Sequence, residues 1–200
     1  MTPLLRRALW LVGATLGYNL VEAGVAVWAG TEASSIALLG FGLDSVIECA
    51  ASAVLIWRLV VEIRGADEER VETAERRAGL FVGATFLALA AYVLVESVLT
   101  LTSGDHPGAS LVGIILAAVS LGVMPILAAV KLTTARRLGS TALQAEAKET
   151  LACAYLSFTL LVGLVLNAVA GLWWADPAAA LAMVPWLVRE GVEGLRGEAD

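Results

Sequence analysis

The sequence predicts an all-α integral membrane protein: a bundle of six transmembrane helices with both ends of the chain in the cytoplasm. Three observations carry that prediction. Of the 200 residues, 59% are hydrophobic, whereas a soluble domain holds about 45–50% apolar residues. These residues gather into six runs, each near the ~20 residues that cross a hydrocarbon core. All thirteen Lys and Arg residues sit at the chain ends or around alternate connections, and the other connections carry none. The positive-inside rule then puts both termini in the cytoplasm.

The first helix is expected over residues 8–29, just after Arg6 and Arg7. Two arginines before an apolar run resemble a signal peptide. This run is too long for a secretory core, carries Asn19 and Glu22, and leads straight into further spans, so it reads as a retained helix. A short turn (Gly30, Thr31, Glu32) leads to a second helix over 34–59. The charged segment 61–77 follows, in which DEERVETAERR places Glu72 four residues before Arg76. That spacing supports a solvated helical extension of the third span, whose apolar part is expected over 78–101. Gly104, Asp105, His106, Pro107 and Gly108 supply turn chemistry before the fourth helix.

The fourth helix is expected over 110–132, with Pro125 predicting a kink. Lys131, Arg136 and Arg137 mark the next connection, and Lys148 the start of a fifth helix over 141–170. The sixth is expected over 174–188, where Asp176 followed by Pro177 reads as an N-cap with Pro in the first turn. Gly13 with Gly17, and Gly79 with Gly83, have the spacing that permits close helix contact. Trp57, Trp173, Trp174 and Trp186 lie near expected helix ends, as interfacial anchors do. Six spans consume roughly 120 residues. A single transmembrane domain is therefore expected, with no C-terminal cytoplasmic domain.

Function is written in the acids. Glu22, Asp44, Glu48 and Glu96 fall well within expected spans, and Glu149 lies on the inner part of the fifth. No Lys or Arg is expected at their depth. A carboxylate at a membrane helix centre costs about 2.5–3.5 kcal/mol, so four cost on the order of 10 kcal/mol. Each must be protonated, hydrogen-bonded, or neutralised by a cation from outside the chain. Neither a nucleophile–base arrangement nor a nucleotide-binding motif is evident. The expectation is not an enzyme, with no tightly bound cofactor and no nucleic-acid partner. Cys49 and Cys153 both fall inside spans, which implies no disulfide framework.

Asp44 and Glu48, four residues apart, share one face of the second helix about one turn apart. A divalent cation between them would remove their mutual repulsion; the alternative is a protonated pair bonded to neighbouring helices. Glu149 and Cys153 repeat the spacing on the fifth helix. With the first pair they would complete a four-ligand cage of the tetrahedral kind that suits zinc-like ions. The alternative is that Cys153 is a small buried apolar residue. Asn19 and Glu22, three apart on the first helix, offer a secondary metal or proton site, or a packing hydrogen bond.

The stretches SSIALLGFGLDSVIE in the second helix, STALQAEAKETLACAYLS into the fifth, and GLWWADPAAAL into the sixth resemble the transmembrane domain of the cation diffusion facilitator (cation efflux) family. The resemblance covers nearly the whole chain. It implies a dimer that exports zinc or a related divalent ion in exchange for protons. It also implies an ion site made of Asp44 and Glu48 with Glu149 and Cys153. The chain departs from the family's pattern, in which His and Asp stand at the positions of Glu149 and Cys153 and Asp at that of Glu48. The expectation is a divalent cation as substrate, protons as its counter-ion, a homodimer in the lipid bilayer, and a bacterial inner membrane. Two rivals remain: a non-transporting membrane partner or regulator on the same scaffold, and a proton-coupled carrier of organic cations.

Overall fold

A computed structural model of the chain describes residues 3–63, 68–104 and 106–196, with side chains at all of these except 3, 58, 59, 61–63, 68–75, 78, 141 and 142. Arg64, Asp67 and Asp105 lie outside the described residues, and Glu72 of the expected Glu72–Arg76 pair lies outside the described side chains. The described residues form six helices: α1 Pro3–Ala33, α2 Ile36–Ile63, α3 Glu68–Ser103, α4 Leu111–Leu138, α5 Thr141–Ala170 and α6 Ala175–Arg196. All six expected helices are present. Most run further than the apolar stretches that foretold them, because a helix continues past the hydrocarbon core wherever its backbone bonds remain satisfied. α1 has 31 residues, about 46 Å at 1.5 Å per residue. α3 continues back to Glu68, as the charged segment suggested.

Short connections make neighbouring helices antiparallel. α4 begins at the N-cap Ser110, whose Oγ accepts from Gly113 N, and ends at Gly139 with φ 67°. α5 begins at Ser140, capping Leu143 N, and ends at Gly171 with φ 66°. Both glycines adopt the left-handed conformation that closes a helix C-terminus cheaply. α4 passes through Pro125 unbroken. The α1–α2 turn is held by Ser35 N donating to Gly30 O (2.9 Å), and the α3–α4 loop is tied to α1 by Gly108 N donating to Ala33 O (2.7 Å). Asn167 Nδ2 on α5 donates to Pro107 O of the same loop.

The starts of α1, α3 and α5 and the ends of α2, α4 and α6 therefore share one end of the bundle, here called the basic end. The other starts and ends meet at the opposite end. α1 packs along α2, α4 along α5 and α3 along α6, while α2 and α5 face each other. The main apolar core contains Phe41, Phe86, Leu156, Leu160, Leu164 and Met183. A smaller cluster near the basic end contains Val12, Leu55, Ala135 and Leu143. Large apolar side chains such as Trp10, Trp28, Phe81, Leu111, Ile126 and Val169 are exposed on the outside. That inverted surface suits lipid rather than water.

Five of the helices, all but α6, are long and apolar enough to cross a membrane. α6 falls short because its final turns carry Arg189, Glu190, Glu193 and Arg196. It nonetheless runs the length of the bundle. Its start reaches the N-terminus of α2, and its last turns lie on Gly79 and Gly83 of α3. A Cβ on Gly83 would come within 2.8 Å of Gly191 O and Leu195 N. The expected Gly79–Gly83 spacing thus serves contact within the chain. Gly13 and Gly17, by contrast, have nothing within 4 Å of such a Cβ.

Asp176 corrects an expectation. It does not cap its own helix; it lies in the first turn of α6 and its carboxylate reaches across to the start of α2. There it accepts from Ile36 N (2.9 Å), Ala37 N (3.4 Å) and Ser35 Oγ. A helix N-terminus presents unsatisfied N–H groups and partial positive charge, which a buried carboxylate complements. The sequence rule identified an acid suited to capping but could not say which helix it would cap.

Two outcomes test this packing. Gly83→Ala should lower the thermal stability of the detergent-purified protein by about 1–3 kcal/mol through overpacking against backbone, while Gly13→Ala should leave the melting temperature unchanged. Asp176→Ala should cost about 1–3 kcal/mol by stranding buried donors, and Asp176→Asn should recover part of that loss in the same melt.

Candidate metal centre

α2 supplies two carboxylates to the bundle interior because Asp44 and Glu48 are one turn apart on the face turned toward α1 and α5. α5 supplies the thiol of Cys153. One ligand atom from each of these three residues lies within 4.8 Å of the other two. All three residues are buried, at 2%, 8% and 0% exposure. That combination of closeness, burial and ligand chemistry is what a divalent cation requires, and it separates this cluster from ordinary surface acids.

The polar contacts around the cluster are incomplete. Asn19 Nδ2 on α1 donates to Glu48 Oε2 at 2.7 Å, and the Cys153 thiol lies within 4.8 Å of ligand atoms of Asp44 and Glu48. Yet Asp44 Oδ2 and Asn19 Oδ1 are buried without a partner. Buried polar atoms of this kind are rare in folded proteins and call for a reason. Both are oxygen lone pairs on residues at or touching the cluster, suited to a hard or borderline cation.

Glu22 is handled differently. Its carboxylate accepts from Ser45 Oγ of α2 (2.9 Å) and from Ser120 Oγ of α4. Tyr18 OH lies 2.8 Å from the same Ser120 Oγ. Glu22 is 1% exposed, but it lies outside the three-residue cluster and its oxygens are engaged. Of the secondary pair, Asn19 touches the cluster and Glu22 forms a separate polar layer beside it.

Glu149 also lies outside the cluster. It is half-buried on α5, one turn nearer the basic end than Cys153. Its carboxylate is not among the ligand atoms that converge with those of Asp44, Glu48 and Cys153, although it stands one turn, about 6 Å of helix rise, from Cys153. Glu96 is half-buried on α3 and is not part of the cluster. His106 stacks on Trp173 with ring centroids 4.9 Å apart, which accounts for it at the opposite end.

The sequence did not foretell one further group. Lys131, expected in a solvated connection, is wholly buried in α4. Its Nζ lies 2.8 Å from Glu146 Oε1 and donates to Thr150 Oγ1 at 2.9 Å. Ser52 Oγ of α2 donates to the same Glu146 oxygen (3.2 Å), while Glu146 Oε2 is buried without a partner. A signal was available: Lys131 stands about one and a half turns before Arg136 and Arg137, in register with Ala128 and Ala135 of the buried face.

Residues 12–196 match the family model described as the cation efflux transmembrane domain. No curated protein matches the chain.

Proposed function

Because this chain belongs to the cation efflux family, a family of membrane cation transporters, we propose that it exports a divalent metal ion, zinc or a related cation, in exchange for protons. The observation that carries this reading is the buried trio Asp44, Glu48 and Cys153, whose ligand atoms lie within 4.8 Å of one another. Two carboxylates and a thiolate carry enough negative charge to hold a divalent ion. The sulfur biases the site toward zinc-like rather than magnesium- or calcium-like ions. Asn19 Oδ1 is positioned on a residue already bonded to Glu48 and would serve as a fourth, neutral donor. Glu149, one turn nearer the basic end, would meet the ion on its way to the trio.

Proton exchange follows from the ligands. Carboxylates and thiol bind metal in their deprotonated forms, so metal binding expels protons and rising acidity weakens it. Alternating exposure of the site to the two sides of the membrane then couples cation movement to a proton gradient. The thirteen Lys and Arg residues support an orientation with both termini in the cytoplasm of a bacterial cell. A homodimer is the working assembly in this reading.

Reconstitution into liposomes with an internal metal-sensitive dye tests the proposal. Zinc flux should require a proton gradient and should fall to background in Asp44→Ala. Flux of an organic cation with metals absent, or no flux at all, would refute it. In equilibrium binding by the purified protein, Glu48→Gln and Cys153→Ser should weaken zinc markedly, and acidification should release it. Asn19→Leu, which removes the partner that orients Glu48, should cost about 10–100-fold in affinity. Glu149→Gln should lose much less, because that carboxylate lies outside the trio.

A further inference from the structure

The buried polar layer around Lys131 lies on the basic-end side of the proposed ion site. α2 runs toward the basic end, and Ser52 is one turn beyond Glu48. α5 runs away from that end, and Glu146 is two turns before Cys153. A cation approaching the trio from the basic end between α2, α4 and α5 would meet this level first. Lys131 Nζ joins Glu146 and Thr150 there, and Ser52 adds α2 to the same carboxylate. The apolar cluster of Val12, Leu55, Ala135 and Leu143 packs still nearer the basic end.

A buried ion pair is poorly explained as a stability device, since apolar residues of similar volume often serve as well or better. Its better-attested value is to specify one arrangement among several. Here the pair has a carboxylate oxygen to spare, Glu146 Oε2, buried and without a partner.

Resting on the transport reading above, we propose that Lys131 is a tethered counter-cation that closes the basic-end approach to the ion site by pairing with Glu146, and that Glu146 receives the incoming metal ion when the ammonium swings away. The exchange leaves no bare carboxylate in the interior, because one cation replaces another. Ser52 and Thr150 provide further oxygen donors at that station, and Glu149 lies one turn from Cys153 on the same helix. Closure is thereby linked to occupancy: with the ammonium on Glu146 the approach is shut, and with a metal ion there it is open.

The test reads the accessibility of Cys153 in membrane vesicles of either orientation, using a charged, membrane-impermeant methanethiosulfonate and a Cys49→Ala background. Cys153 is wholly buried, so the parent should label slowly from both sides. Lys131→Met should speed labelling from the basic end about tenfold or more, a change that breaking one buried pair can supply, and leave the other side unchanged. Lys131→Met combined with Glu146→Met should return the rate toward that of the parent. A parental rate in Lys131→Met, or equal acceleration from both sides, would overturn the proposal. Should that variant fail to fold, Glu146→Gln keeps the side chain's size and hydrogen bonds while removing its charge, and the same outcomes decide. Zinc added to the parent should protect Cys153 from labelling; loss of that protection counts against the transport reading, whereas loss of sidedness in the variants counts against the gate alone.

Discussion

Charge buried among apolar helices must be answered locally, and the arrangement of this bundle follows from how each acid is answered. Water is not available in the interior to screen a carboxylate, so its partners have to come from other helices. Asp176 of α6 is answered by the N-terminus of α2. Glu22 of α1 is answered by serines of α2 and α4. Glu146 of α5 is answered by Lys131 of α4. Each answer joins different helices, so together they fix the positions of α1, α2, α4, α5 and α6 relative to one another.

Asp44 and Glu48 stand apart from that scheme. Glu48 has the Asn19 amide as a donor, while one oxygen of Asp44 is left without any partner. In the transport reading proposed above, this contrast separates a structural acid from a ligand. A carboxylate kept for packing is saturated by donors within the chain; one kept for a travelling cation must hold capacity in reserve. The same reasoning separates Glu22, whose two oxygens are both occupied, from Asn19, whose carbonyl oxygen is not.

The polar groups form layers along the bundle axis. Asp176 and the α2 N-terminus lie at the opposite end, the Asp44, Glu48 and Cys153 trio lies in the interior, and the Lys131–Glu146 pair lies beyond it toward the basic end. α2 contributes to every layer, through Ile36, through Asp44 and Glu48, and through Ser52. α5 contributes to the two nearer the basic end. Antiparallel packing of these two helices thus joins the two layers nearer the basic end.

Much of this was legible in the linear chain. Six apolar runs dictated six helices, because a backbone surrounded by lipid has to satisfy its own hydrogen bonds. The i, i+4 spacing dictated that Asp44 and Glu48 share a face, since that is a property of any α-helix. Chain order alone could not set the height of α5 against α2, and this height admitted Cys153 to the trio while leaving Glu149 a turn away. It could not show that Lys131 turns inward to meet Glu146, or that Asp176 caps a helix 140 residues earlier in the chain. Periodicity governs which residues share one helix's face; the relative translation and rotation of packed helices govern which faces meet, and only the folded bundle determines those.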